Sequence, residues 1–231
     1  DYASRINDKN ANKGVYAGKA PLNHLMAGDI KYVDVNGDGV INTGANTLDD
    51  PGDRKIIGNS KPRYNYSFRG DLSWYGVDLQ VFFQGVGKMN WMPDANCIYF
   101  WNTYSYHRPT FIPKNFAEKC WSDEEGADNS DVLFPRRRGR MCGSSLQTSD
   151  YFMQDASYIR LKNLTIGYTL PLKTKAVEKV RFYFSGENLW YWSPMKEWTD
   201  VVDPEVATSS AYGDCSYPYS KIFSFGVNIT F

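Results

Sequence analysis

The sequence predicts an all-β fold: the C-terminal strands, about five of them, of a large antiparallel transmembrane β-barrel with long extracellular loops. Three observations lead to this class. Segments of about eleven residues alternate between apolar and polar side chains, clear helical periodicity is hard to find, and short connections alternate with long ones. Because a closed membrane barrel needs about eight strands or more, five are incomplete on their own.

The composition agrees with strands that cross a membrane. Aromatic residues make up 16% of the 231 residues, with 17 Tyr, 13 Phe and 7 Trp, which is typical of barrels whose aromatic girdles mark the membrane interface. The mean hydropathy of −0.52 and the lack of a run of about 18 apolar residues exclude a transmembrane helix. Lys plus Arg equals Asp plus Glu at 26 each, so no overall charge attracts nucleic acid.

Each predicted strand has one apolar and one polar face. The predicted strands are 64–74, 77–86, 158–170, 180–189 and 221–231, with a bulge near Lys162–Asn163 where the alternation shifts phase. Side chains expected to face lipid are Tyr66, Phe68, Leu79, Val81, Phe182, Phe184, Phe225 and Val227. Side chains expected to face a water-filled lumen are Arg69, Asp71, Asp78, Gln80 and Glu187.

The connections alternate in length, as they do in outer-membrane barrels. Residues 75–76 and 171–178 form the short connections, and residues 87–157 and 190–220 form the long external ones. We therefore divide the chain into an extracellular loop segment, 1–63, and barrel strands with their loops, 64–231. Bare strand edges aggregate, so the remainder of the same barrel is an expected partner.

A soluble β-sandwich is the alternative architecture. It would turn the apolar faces of its strands toward each other. Charged residues on the opposite faces and connections of roughly 30 to 70 residues argue against it. Four cysteines, Cys97, Cys120, Cys142 and Cys215, fall in the long connections and are expected on the external side, either as thiols or in surface disulfides.

The most specific stretch is GDIKYVDVNGDGVIN (28–42), followed by DRKIIGNSKPRYNYSFRGDLSWYGVDLQVFFQGVG (53–87). Three later stretches are also characteristic: YIRLKNLTIGYTLP (158–171), VRFYFSGENLW (180–190) and VDPE (202–205). In this order they closely resemble the C-terminal part of the SusC/RagA-type TonB-dependent transporters of the Gram-negative outer membrane. The resemblance covers roughly residues 14–231. One departure is TGANTLDDPG (43–52), about eight residues longer than the usual spacing.

The resemblance implies a multi-pass barrel in the outer membrane that imports large nutrients, either glycans and oligosaccharides or peptides. It implies three further partners: a SusD-like surface lipoprotein, TonB (through an N-terminal part absent from this chain) and outer-membrane lipid. It also implies that the alternating C-terminal strand is the signal read by the barrel-assembly machinery; its apolar residues are Phe223, Phe225, Val227, Ile229 and Phe231. The alternative function is a calcium-stabilised, soluble β-sandwich for surface binding or adhesion.

A loop in the first segment is a candidate calcium site. Asp34, Asn36 and Asp38, with Gly39 and the Val40 carbonyl, have EF-hand-like spacing, in which alternate side-chain oxygens converge at a sharp glycine turn. The late acidic ligand is missing from its usual place, and by resemblance Asp53 supplies it. A metal-free tight turn is the alternative. No organic cofactor is expected.

Aromatic residues in the long connections are candidates for binding a substrate or a partner. They are Trp91, Tyr99, Trp101, Tyr104, Trp190, Trp192 and Trp198. Exposed rings stack on sugars or seat a protein, and packing of the loops against one another is the alternative. No GxSxG, P-loop or HExxH motif is present, so the sequence does not predict an enzyme.

Overall fold

The computed structural model describes residues 27–94, 97–101, 114–136, 148–172, 176–207 and 219–231. The chain forms two compact units. One unit combines Asp1–Gly58 with Asp94–Phe152, and the other combines Asn59–Pro93 with Met153–Phe231. The long connection after the second strand thus divides between the two units.

A five-stranded antiparallel sheet dominates the second unit. Its strands are β1 (Tyr64–Trp74), β2 (Val77–Gly87), β5 (Tyr158–Pro171), β6 (Lys179–Trp192) and β7 (Ile222–Thr230), in the spatial order β1-β2-β5-β6-β7. A two-residue ladder joins β3 (Asn90–Trp91) to β4 (Gln154–Asp155). All five predicted strands are therefore present, and each pairs with its neighbour along the sheet.

Local chemistry explains how the strands are connected. Tyr75 and Gly76 both have positive φ, of 46° and 83°, which is the backbone of a two-residue hairpin turn and favours glycine. The β2–β5 register shifts between Phe82 and Phe83, opposite Lys162, which confirms the bulge predicted there. Strand β6 runs to Trp192, so the predicted boundary of the following connection at residue 190 was wrong.

The register places the predicted apolar side chains together on one side of the sheet, which we call the apolar face. Directly opposed residues of neighbouring strands share a face, and Leu79 lies opposite Leu72 and Ile166, while Ile166 lies opposite Phe184. The side chains of this face are exposed or half-buried: Leu72 is 64% exposed and Phe225 83%, while Leu79 and Phe184 are half-buried. A soluble sandwich would bury this face, and no second sheet covers it in the described part of the chain.

The first unit has an aromatic core. A single-turn helix, Ile98–Trp101, brings Phe100 and Trp101 beside Phe134 and Phe152, and all four rings are buried. Phe116 packs on Phe134, next to a 3-10 turn at Ala117–Lys119. Among the described residues, no helix is long and apolar enough to span a membrane.

Candidate functional site

The apolar face has an aromatic border at each end. Near the hairpin turn, one cross-strand row contains Trp74, Tyr168 and Phe182. Eight residues farther along β2, a second row contains Tyr66 and Trp192, with Trp190 one step inside it. Between the rows the exposed side chains are mainly aliphatic or Phe, so the face has the pattern of a membrane-spanning band with aromatic girdles.

The opposite side of the sheet, the polar face, is crossed by an ion pair between non-adjacent strands. Arg181 on β6 donates through Nε to Asp78 on β2 at 2.9 Å, passing over Gly167 of the intervening β5. A Cβ on Gly167 would lie 2.5 Å from Asp78 Oδ1. On β6, the Tyr183 ring lies over Gly226 of β7, and Arg181 stacks 4.9 Å from the Tyr183 ring centroid. These contacts give a polar wall.

Strand β7 forms one border of the described sheet. Its register pairs Phe225 with Phe184 and Val227 with Phe182, so its apolar side chains continue the apolar face. Phe231 follows the last paired residue and is 86% exposed. The five residues of the predicted assembly signal thus lie along or just beyond one edge strand.

The candidate calcium loop is closed by Asp53. Its carboxylate accepts hydrogen bonds of 2.7 Å from the N–H groups of Val35 and Asn42. Burial acts to raise the pKa of Asp53. Those two N–H donors, that of Asn36 and the side chain of Asp34 outweigh burial, so the pKa lies below its usual value. Asp53 therefore ties both ends of the loop, at Val35 and at Asn42, through its carboxylate.

The other carboxylates of this loop turn toward the backbone. Asp34 accepts from the N–H groups of Gly37 at 2.6 Å and Gly39 at 2.7 Å, and Asp38 accepts from Val40 N–H at 2.7 Å. Gly37 and Gly39 have φ of 77° and 82°, which side-chain-bearing residues rarely adopt. In the described part of the chain, no group of three or more His, Cys, Asp or Glu side chains is placed to hold a metal ion.

The insertion at 43–52 forms a closed arch between Asn42 and Asp53. Asp53 N–H donates to the Asn42 carbonyl at 3.0 Å, in addition to the side-chain contact already described. Arg54 Nη2 bridges the interior of the arch, donating to the Thr43 carbonyl at 2.9 Å and to Asn46 Oδ1 at 2.6 Å. The Leu48 side chain is fully exposed.

The aromatic candidates that the structure describes differ in their surroundings. Trp101 is buried in the core of the first unit, and its indole N–H donates to the Asp94 carbonyl at 2.8 Å. Trp91 is buried in β3, and Trp198 is half-buried. Trp190 and Trp192 lie on β6, not in a loop, and are about half exposed on the apolar face. The Tyr99 side chain and Tyr104 lie outside the described residues.

Two cysteines fall within the described residues. Cys97 is buried, and the half-buried Cys120 donates through its thiol to the Phe116 carbonyl at 3.1 Å. Both lie in the connection between β2 and β5, as predicted. Cys142 and Cys215 lie outside the described residues.

Sequence reasoning missed a buried ion-pair cluster on the polar face. Arg160 of β5 pairs with Asp203, and both side chains are at most 2% exposed. Lys162 pairs with Glu205 at 2.8 Å. The available signal was the pair of basic residues in YIRLKN together with the two acids of VDPE, which are separated by about 40 residues of chain.

Comparison with known proteins points to one class. No family model matches the chain. The TonB-dependent receptor P26 of Formosa agariphila is 28% identical over 222 residues, covering 89% of this chain and 20% of that receptor. The TonB-dependent receptor P3 of the same species is 28% identical over 212 residues, covering 87% and 19%. The chain thus spans about a fifth of the length of these curated relatives.

Solved structures agree on the fold. The RagAB peptide importer in its "open-open" state superposes with a TM-score of 0.56 at 23% identity, over 89% of this chain and 21% of that one. The RagAB peptide transporter gives a TM-score of 0.52 at 23% identity, over 76% and 18%. The curated relatives confirm the resemblance to TonB-dependent receptors, and the RagAB structures confirm the antiparallel all-β fold. The similar proteins are receptors and a transporter, not enzymes, in agreement with the sequence.

Proposed function

We propose that this chain is part of a TonB-dependent importer in the Gram-negative outer membrane. The observation that carries the proposal is the two-sided sheet: an uncovered apolar face across all five strands, opposite a wall of hydrogen-bonded polar side chains. Lipid is the solvent that suits the first face and water the second. The similarity to TonB-dependent receptors supports the transport role.

The dimensions of the strands fit this assignment. An eleven-residue strand such as β2, rising about 3.3 Å per residue and tilted about 40°, spans roughly 25 Å, close to the apolar band of outer-membrane barrels. The row with Trp74 and the row with Trp192 then lie at the two membrane interfaces. The long connections leave at the Trp192 end, which becomes the external end.

The cargo in this proposal is a large nutrient, either a glycan or oligosaccharide or a peptide. The fold is shared with a peptide importer, which supports the peptide alternative by analogy only. The proposed partners are the remainder of the same barrel, TonB, outer-membrane lipid and a SusD-like surface lipoprotein.

Uptake in intact cells tests the transport role. Cells that express the full-length receptor are given fluorescent peptide and oligosaccharide mixtures, with and without a protonophore. We expect energy-dependent accumulation of one class, lost when TonB is deleted. Accumulation of neither class above that in receptor-deleted cells would contradict import.

We also propose that the loop between Asp34 and Asp53 binds Ca²⁺ through Asp34, Asn36, Asp38, the Val40 carbonyl and Asp53. The Asp53 carboxylate accepts from the N–H of Val35, the residue next to Asp34, and a divalent cation would relieve the repulsion between carboxylates gathered in one loop. Each oxygen already accepting an N–H retains a second lone pair.

Hydrogen exchange of residues 34–42 in the full-length receptor tests the calcium proposal. Ca²⁺ should slow exchange and Mg²⁺ should do so far less, because the loop offers flexible oxygen ligands. Asp34→Asn should weaken the calcium effect, whereas Asp49→Asn in the exposed arch should leave it unchanged. No calcium effect in the parent receptor would reduce the loop to a tight turn.

A further inference from the structure

The segment after β6, Ser193–Ala207, packs against the five-stranded sheet and is here called the strap. It begins with a 3-10 turn, Pro194–Glu197, in which the Ser193 hydroxyl accepts from Met195 N–H at 3.3 Å. Met195, Val202 and Ala207 are all buried. A loop extending freely into water would expose these side chains, so the strap is a packed element.

Paired charges fix the strap to the polar face. Asp203 of the strap binds Arg160 of β5, which lies opposite Gln84 in the register and therefore on the polar face. Glu205 accepts from Lys162 Nζ at 2.8 and 2.9 Å, and its Oε2 lies 3.2 Å from Arg160 Nε. Two strap carboxylates thus meet two strand cations.

Two tyrosine rings lie against the cations of this cluster. The Arg160 guanidinium lies 4.7 Å from the Tyr191 ring centroid and 5.2 Å from that of Tyr219. Lys162 Nζ lies 4.4 Å from the Tyr219 ring centroid. Because the Arg160 side chain is only 1% exposed, the local dielectric is low and its ion pairs are strengthened.

Asp203 also shapes the strap backbone. Its side chain accepts from Glu205 N–H at 3.0 Å, and its carbonyl accepts from the N–H groups of Val206 and Ala207 at 3.1 Å each. Breaking the contact with Arg160 therefore disturbs the turn as well as the ion pair. An unpaired buried Arg160 would be strongly unfavourable.

We infer that the strap is a fixed part of the inner wall, latched by Arg160 and Asp203, and that it narrows the external mouth of the barrel. Arg160 lies one residue from the row with Tyr66 and Trp192. That row is the external membrane border under the proposed function, and the external position of the strap rests on that function. Cargo therefore passes over a rigid strap. Arg160 and Lys162 are positioning residues for it.

Hydrogen exchange by mass spectrometry on the full-length receptor tests the latch. Peptides covering 194–207 should exchange as slowly as the strands. Asp203→Asn should speed their exchange at least tenfold. The matched control is Asp71→Asn, which removes the same charge from the exposed Arg69–Asp71 pair on the polar face and should leave strap exchange unchanged.

Charge reversal separates a specific latch from general loss of packing. Lys162→Glu should loosen the strap by placing two acids together, whereas Lys162→Arg, which keeps the charge beside Glu205, should retain most of the slow exchange. Fast exchange of the strap in the parent receptor, equal effects of Asp203→Asn and Asp71→Asn, or equal effects of Lys162→Glu and Lys162→Arg would overturn the inference. Each outcome is readable even if no cargo is imported.

Discussion

Two glycines set the arrangement of side chains on the polar face. Gly167 leaves room for Arg181 to reach across β5 to Asp78, and Gly226 leaves room for the Tyr183 ring. Both lie in one cross-strand row, because Gly167 and Gly226 are each paired with Tyr183. A missing side chain on one strand thus permits a contact between its neighbours.

Gly167→Ala should break the contact between Asp78 and Arg181. The added methyl would lie 2.5–2.6 Å from atoms of both side chains, so one must move, and we expect a loss of about 1–3 kcal/mol in unfolding free energy. Denaturant unfolding of the full-length barrel in lipid vesicles measures it. Gly87→Ala, where the nearest atom would be at 3.6 Å, should change little. Equal effects would argue against the crossing contact.

Asp53 should make the loop at 34–42 sensitive to acid. Its pKa in the folded protein lies below the usual 3.8, so its stabilisation is fully present above pH 3.8 and is lost as pH falls through the folded value. The ratio of amide protection at Val35 and Asn42 in the parent to that in an Asp53→Asn variant should therefore fall to one in acid. The ratio of the parent to an Asp49→Asn variant should stay near one at every pH. A constant Asp53 ratio down to pH 2 would contradict this role.

At the scale of the strand, the face on which a residue lies should govern the cost of replacing it with a charged one. Val81 lies on the apolar face between Gly70 and Leu164, whereas its neighbour Gln80 lies on the polar face. Val81→Lys should cost about 2–4 kcal/mol of barrel stability and Gln80→Lys far less. Reversible folding into vesicles gives both values. Similar costs would mean that the lipid-facing side has been misassigned.

The strands could be predicted from the sequence because their period of two is a local property. Even the bulge near Lys162 was visible as a shift of phase. The burial of Trp101 and the pairing of Arg160 with Asp203 were not predictable, because both depend on contacts made over long stretches of chain. The same limit explains Trp190 and Trp192, whose strand was extended by pairing with Leu161 and Ile159.

At the scale of the whole molecule, Phe231 should matter for assembly more than for stability. Its ring is exposed beyond the last paired residue of β7, so its removal costs few contacts in the described sheet. Deleting Phe231 should lower the amount of folded barrel in the outer membrane, while the thermal unfolding of barrels that do assemble stays nearly unchanged. Phe231→Tyr, which keeps an aromatic ring, should assemble far better than the deletion. Normal outer-membrane levels of the deletion would make Phe231 an ordinary strand terminus.

The closure of the arch at Asn42 and Asp53 has a consequence for how this chain tolerates change. Three hydrogen bonds at the base of the arch hold its ends in place. They join Asp53 N–H to the Asn42 carbonyl, Asn42 N–H to the Asp53 carboxylate, and the Arg54 guanidinium to the Thr43 carbonyl. The number of residues between those ends is therefore decoupled from the geometry of the loop at 34–42. An arch closed in this way should tolerate insertions. A short epitope grafted at Leu48 should therefore leave Asp53 in place.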